Sequence, residues 1–310
     1  MNKSDSEKIS AILEKNGYKL SLKENKADLI VVNICSIRQS AVDRAYNKIK
    51  NIKNKKIILT GCILKEDKEK FSQYGEIKKF ADLSKIKAKP EYPEGLISIM
   101  EGCNNFCTYC VVPYTRGREC YKEKKEIINK AKDLIKRGFQ KITLIGQNVN
   151  SYPKFSELLK EIANLPGNFQ VAFLTSHPKD FSDELIEVMA QNEKIVKHLN
   201  LPVQSGDNKI LKKMNRPYTI KEYKNLIKKI RKKIPNIILS TDIIIGFPGE
   251  TKKQFENTIK LFKEIKFNNA YISKYSPRPG TASLKLKDNV SLAEKKKREK
   301  VLIKLINKNK

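Results

Sequence analysis

No apolar run in this 310-residue chain approaches the roughly 18 residues that a membrane-crossing helix needs. Its opening, Met1-Asn2-Lys3-Ser4-Asp5-Ser6, lacks the apolar stretch of a secretory signal. A cytoplasmic protein with no membrane partner is the expectation. Acidic residues are scarce: 34 Asp and Glu face 64 Lys and Arg, a net charge of +30. Arginine is scarce too, at 9 of those 64, with lysine supplying 55. Such a surface attracts polyanions, commonly nucleic acid, through point charges. Lysine spread over ordinary helix faces gives the same excess. Histidine occurs twice, at His177 and His198. His198 falls in a predicted strand and reads as structural.

Six cysteines are present, and three of them fall within eight residues. In a reducing compartment clustered cysteines are metal ligands or catalysts more often than disulfides. A chain of this length buries a large core without such staples.

The first stretch alternates helix and strand. Ser4 to Glu7 has the form of a capping box, followed by Ile9, Ile12 and Leu13 at helical spacing and ended by Gly17. Asp28 to Asn33 and Lys56 to Thr60 are buried strands, with a helix over Arg38 to Ile52 between them. Cys35 follows the first strand and Cys62 the second, which puts both thiols on one edge of a parallel sheet. The predicted organisation is a small α/β domain over 1–83, a proline-bearing linker over 84–94, a β/α repeat over 95–283 and a basic helix in 284–310. Six strands are predicted in the repeat, at 96–100, 141–145, 170–174, 196–201, 237–245 and 270–275. Six parallel strands with outer helices make a partial (β/α)6 barrel. From Leu284 onward ten basic residues face three acidic ones, and Lys295, Lys296, Lys297 and Arg298 are expected to contact phosphates.

The strongest motif is Cys103-Asn104-Asn105-Phe106-Cys107-Thr108-Tyr109-Cys110, in the loop after the first barrel strand. Three close thiolates can ligate three irons of a cubane cluster and leave the fourth iron open for the amino and carboxylate groups of S-adenosylmethionine. Zinc is the alternative, but structural zinc takes four N or S ligands, and only Cys120 stands nearby.

The segment from Met100-Glu101-Gly102-Cys103 through Cys110-Val111-Val112-Pro113 to Arg116-Gly117-Arg118-Glu119 resembles the radical S-adenosylmethionine methylthiotransferases. So do Gly146-Gln147-Asn148, Thr175-Ser176-His177-Pro178, Leu201-Pro202-Val203-Gln204-Ser205-Gly206, Gly246-Phe247-Pro248-Gly249-Glu250 and Ser276-Pro277-Arg278-Pro279-Gly280-Thr281, each after the C-terminal end of a predicted barrel strand. Gly146-Gln147-Asn148 is similar to the tRNA-directed branch and unlike the branch acting on ribosomal protein S12. Independently of the family, Gly146 and Gly206 are expected to let backbone approach a ligand. Gln147, Asn148, Ser176 and Gln204 offer hydrogen bonds to a polar cofactor, Arg216 can pair with a carboxylate, and Gly246 lies on the same rim. His177 is open between helix capping and catalysis.

The resemblance implies a 4Fe–4S cluster with S-adenosylmethionine at Cys103, Cys107 and Cys110. It implies a second, auxiliary 4Fe–4S cluster at Cys35, Cys62 and a third cysteine, which in the family lies just ahead of a Met-Asn like Met1-Asn2. It also implies a C-terminal RNA-binding β-barrel that this chain does not include. The implied reaction places a methylthio group on carbon 2 of an isopentenylated adenosine beside the tRNA anticodon. The implied partners are tRNA and a reductant such as flavodoxin or ferredoxin, and the implied state is a monomer. The alternatives are the sister enzyme for threonylcarbamoyl adenosine and a non-catalytic iron–sulfur RNA-binding protein.

Overall fold

The computed structural model describes residues 2–80 and 95–308, so the predicted linker over 84–94 lies outside the described residues. The first unit runs α1 (Asn2–Lys15), β1 (Leu29–Ile34), α2 (Gln39–Ile49), β2 (Lys56–Gly61), α3 (Lys65–Ser72) and β3 (Glu76–Ile77). Its strands are parallel in the order β1-β2-β3. Val42 and Ile49 recur at helical spacing on α2 and pack against Ile34, Ile57, Leu59 and Phe71. The register sets Ile34 beside Gly61, so Cys35 and Cys62 leave the sheet side by side, as expected. The predicted capping box is corrected. The helix begins at Asn2, and Ser4, Asp5 and Glu7 are buried within its first turns. Asn2 Nδ2 donates to Ile34 O at 3.1 Å, which ties the helix start to the end of β1.

The second unit begins with β4 (Gly95–Ser98). A short antiparallel pair, β5 (Met100–Glu101) and β6 (Cys120–Tyr121), brackets a loop holding the one-turn helix α4 (Val112–Thr115). Then follow α5 (Lys124–Lys136), β7 (Lys141–Ile145), α6 (Phe155–Ala163), β8 (Gln170–Phe173), α7 (Asp183–Gln191) and β9 (His198–Asn200). The chain continues through α8 (Asn208–Lys213), α9 (Ile220–Lys233), β10 (Ile238–Ile245), α10 (Lys252–Ile265), β11 (Asn269–Lys274) and α11 (Leu292–Asn307). Strands β4, β7 and β8 pair in parallel, as do β9, β10 and β11. A parallel bridge between Val171 and Ile195 joins the two sets. Six strands in sequence order form the predicted partial barrel, with β4 and β11 at its open edges. Capping boxes start α9, at Thr219 and Glu222, and α10, at Thr251 and Gln254.

One large core lies between sheet and helices. Ile142, Leu144, Val171, Phe173, Leu199, Leu239, Ile243 and Ile245 point outward from the barrel into it. Leu302 and Ile306 of α11 belong to the same core. The last helix, expected to stand apart as a basic tail, is instead the outer helix that follows β11. The phosphate-binding expectation for its basic run is corrected at two positions. Lys295 is buried, donating to Asp288 Oδ2 at 2.6 Å and Tyr275 O at 3.2 Å. Arg298 is buried against Glu250 at 2.7 Å and Glu294 at 2.9 Å. Lys296 and Lys297 are both exposed.

Candidate functional site

The three clustered cysteines sit in the loop between β5 and β6. Gly102 has φ of +79°, and a side chain there would overlap the Arg118 carbonyl, so glycine is required for the loop to close. Cys103 N donates to Gly117 O at 3.1 Å and Cys110 N to Cys107 O at 2.9 Å. Phe106 is held in the left-handed region at φ 47°, with Arg118 over one face of its ring and Tyr114 edge-on at 6.1 Å. The turn after α8 supports the loop from below. Thr108 donates through N to Met214 O and through Oγ1 to Lys213 O, and Asn215 Nδ2 donates to the carbonyls of Asn105 and Phe106. Asn215 is itself left-handed at φ 56°. Such strain persists where the surroundings over-determine it, and it concentrates at functional sites.

Asn105 Nδ2 donates to Cys103 Sγ at 3.4 Å, and Arg216 Nη1 lies 3.6 Å from Cys107 Sγ. Burial pushes the Cys110 thiol up to about 12 and raises that of Cys103. A half-buried thiol with little access to water resists ionising until a cation takes the proton's place. Among the described residues no three Cys, His, Asp or Glu side chains converge on a single-ion site. A cubane asks for a different spacing, since its three thiolates bind three separate irons.

The rim residues come together on one face, at the C-terminal ends of the strands. Among the described residues four buried side-chain atoms have no hydrogen-bond partner: Gln147 Oε1, Asn148 Oδ1, His177 Nε2 and Ser36 Oγ. Three belong to residues singled out from the sequence, and the fourth adjoins Cys35. An unpaired buried polar atom costs about 1–3 kcal/mol, so each of these marks a point where a polar partner would complete the structure. Asn148 is oriented by its Nδ2 bond to Asp180 at 2.7 Å. Ser176 Oγ donates to Asn200 O at 2.5 Å, and Gln204 stands left-handed at φ 70° beside β10. Arg216 is buried, donating to Pro202 O at 2.7 Å and the Tyr218 hydroxyl at 2.8 Å.

His177 both caps a helix and faces the site. Its Nδ1 accepts from Lys179 N at 3.2 Å, so the neutral ring carries its proton on the unpartnered Nε2. Burial, with Arg216 and Lys179 adding repulsion, pushes its pKa down to about 2. It is a neutral donor at physiological pH. The expected role of two glycines is corrected. Gly146 admits the Met100 side chain and Gly206 the backbone of Thr258, so both permit internal packing and not ligand approach. Gly246 lies under the Lys295 side chain, and its N–H donates to Glu250 Oε2 at 2.6 Å. His198, expected to be structural, shares a contact with Ser240 at 3.4 Å.

Two arginines that the sequence reading passed over join the cysteine edge of the first unit to this face. Arg116, from the cysteine loop, donates to Cys62 Sγ at 3.0 Å and to Asn2 Oδ1 and Asp5 Oδ2, each at 2.9 Å. Arg278 is buried and donates to Ser36 O at 2.8 Å, Gln39 Oε1 at 2.5 Å and Asp67 Oδ2 at 2.6 Å. Lysine cannot replace a forked, multi-donor group, so the scarcity of arginine was the available signal. Cys62 is raised by burial, with Arg116 opposing. Cys120 is exposed, at the start of β6.

Residues 97–262 match the Radical SAM superfamily, and residues 1–81 match the uncharacterized protein family UPF0004. The fold agrees. A radical S-adenosylmethionine methyltransferase, TsrM, from Kitasatospora setae superposes with a TM-score of 0.63 at 15% identity, over 87% of this chain and 70% of that one. Coproporphyrinogen III oxidase (HemN) from Escherichia coli superposes with a TM-score of 0.52 at 16% identity, over 70% of this chain and 54% of that one. The tRNA-2-methylthio-N(6)-dimethylallyladenosine synthase of Carboxydothermus hydrogenoformans is 40% identical, over 99% of this chain and 81% of the relative. That of Clostridium tetani is 38% identical, over 100% of this chain and 79% of the relative. The cysteine loop and the barrel thus define a radical SAM protein. More narrowly, the chain belongs to the family of tRNA-2-methylthio-N(6)-dimethylallyladenosine synthases, the radical SAM methylthiotransferases.

Proposed function

We propose that this chain carries out the reaction its relatives are named for, placing a methylthio group on an N6-dimethylallyl (isopentenyl) adenosine of tRNA, at carbon 2. The observation that carries the reading is the meeting of two cysteine sites on one face. The Cys103, Cys107 and Cys110 loop and the Cys35 and Cys62 sheet edge are joined there by Arg116. Cys103, Cys107 and Cys110 would hold a four-iron cluster. Its donor set fits, and the unpaired Gln147, Asn148 and His177 atoms, in the loops that follow barrel strands β7 and β8, suit a polar cofactor. When bound, such a cluster with S-adenosylmethionine supplies one-electron cleavage chemistry able to activate an inert C–H bond. The chain's own work is positioning and exclusion of water. Arg216 sets its charge beside Cys107, Nε2–H of His177 offers a fixed neutral donor, and the packed underside of the loop shields Cys110 in part from solvent. Cys35 and Cys62 would supply two of the three ligands of a second cluster. An external one-electron donor such as flavodoxin or ferredoxin, monomeric action and a cytoplasmic location complete the reading. Among the described residues no helix is long and apolar enough to cross a membrane.

The test is anaerobic reconstitution followed by two measurements: 5′-deoxyadenosine release, and mass spectrometry of nucleosides from isopentenylated tRNA. Cys107→Ala is expected to abolish both. Full release of 5′-deoxyadenosine by that variant would refute the assignment of the triad. Methylthiolation of threonylcarbamoyl adenosine in place of the isopentenylated base would move the chain to the sister activity.

A further inference from the structure

Strand alternation gives the barrel sheet two faces. On β9 and β10, Leu199, Leu239, Ile243 and Ile245 turn outward into the core, which leaves Asn200, Ser240 and Asp242 facing the lumen. On β11, Ala270 and Ile272 pack against the same core, so Tyr271 between them also faces inward. It is 51% exposed, among the larger exposures of an aromatic ring in the described residues. The parallel register pairs Tyr271 with Asp242. The lumen therefore presents a carboxylate and an accessible ring side by side.

Asp242 is aimed by its neighbours. Ser240 Oγ donates to Asn200 Oδ1 at 3.0 Å, and Asn200 Nδ2 donates to Asp242 Oδ2 at 2.8 Å. Among the described residues Oδ1 of Asp242 accepts no hydrogen bond. Burial pushes the pKa of this carboxylate up, while the Asn200 hydrogen bond and the charges of Arg38, just beyond Cys35, and Arg216, at the rim, oppose that and favour its ionised form. Asp242 thus lies within electrostatic reach of Arg38, which follows Cys35 in the chain, and of Arg216, which borders Cys107.

We propose that Asp242 and Tyr271 read the target base: Asp242 Oδ1 accepts the hydrogen on the amino nitrogen of an N6-alkylated adenine, while Tyr271 stacks against its ring. This rests on the tRNA reading above and names the residues that select its base. Adenine offers a donor at this position, and an N6-alkyl group leaves one hydrogen there. Guanine presents an acceptor, which a carboxylate repels. Stacking on tyrosine tolerates any base and supplies affinity without choice. A carboxylate fixed by Asn200 supplies the choice.

The experiment uses the full chain and three fluorescent anticodon stem-loop RNAs. One carries N6-isopentenyladenosine, one its N6-methyl derivative without the N–H, and one an unmodified guanosine at the same place. The unaltered chain is expected to bind the first about tenfold tighter than the second, the worth of one hydrogen bond to a charged acceptor. Asp242→Ala is expected to bind both equally. Asp242→Asn keeps the volume but turns an amide N–H toward the base, so it should lose the preference as well. Tyr271→Ala should weaken both isopentenylated RNAs about tenfold and keep their ratio. Retention of the preference in Asp242→Ala and Asp242→Asn, both folded by circular dichroism, overturns the proposal and leaves the tRNA reading intact. So does a loss of S-adenosylmethionine binding in those variants with the RNA preference unchanged. If the unaltered chain binds the isopentenylated RNA no better than the guanosine RNA, the tRNA reading falls and takes this proposal with it.

Discussion

His177 is held neutral by its surroundings, and that has a measurable price in acid. Its pKa falls from 6.5 to about 2 because burial and the nearby Arg216 and Lys179 oppose the imidazolium. Between those two values the unfolded chain binds a proton that the folded chain does not. Folding stability therefore rises with pH through that window and is lost as pH drops below 6.5, by up to about 1.4 kcal/mol per unit. His177→Gln removes the group. Its melting temperature should decline less than that of the unaltered chain between pH 7 and pH 5. Equal declines would show that His177 charges freely in the folded state. The same reasoning limits its chemistry, since a ring that stays neutral serves as a fixed donor and not as a proton shuttle. None of this was legible beforehand, because a lone histidine before a proline looks the same whether it faces water or a dry pocket. The cysteine triad differed. Its spacing alone pointed to a chemistry, whereas of the rim residues chosen with it Gly146 and Gly206 proved to serve internal packing.

At the scale of elements, long periodic or β-branched segments were legible. The six barrel strands agree with prediction to within about two residues, because each sets apolar or β-branched residues between turn residues in a repeating β/α order. Helix α3 and strand β3 were missed. Lys65–Ser72 buries only Asp67 and Phe71, too few for a visible stripe, and Glu76–Ile77 has two residues. The last helix was placed correctly but misread. Its charged residues looked like a solvated tail, whereas Leu302 and Ile306 anchor it in the core and Arg298 meets Glu250 in the interior. Leu302→Ala should cost about 2–5 kcal/mol of stability. Arg298→Ala should cost about 3–5 kcal/mol, since it strands a buried carboxylate. Chemical denaturation checks both. A change below about 0.5 kcal/mol for either would show that the helix is dispensable to the barrel.

Over the whole molecule, the charge divides into two kinds. Arg116, Arg216, Arg278 and Arg298 are spent internally, on carboxylates, carbonyls and cysteine sulfur. What remains for a polyanion is overwhelmingly lysine, which binds phosphate without base readout. RNA affinity should therefore fall steeply with salt, by about 0.9 in log affinity per log salt for each duplex phosphate neutralised. Lys296→Gln with Lys297→Gln should flatten that slope while leaving stability within about 0.5 kcal/mol. Lys295→Gln should behave in the opposite way. Its ammonium is held by Asp288 and Tyr275 O, so its loss should lower stability and leave the slope alone. Filter binding over a salt series, paired with thermal unfolding of each variant, separates the two. A slope that depends on Lys295 and not on Lys296 and Lys297 would mean that the buried face of this helix opens when RNA binds.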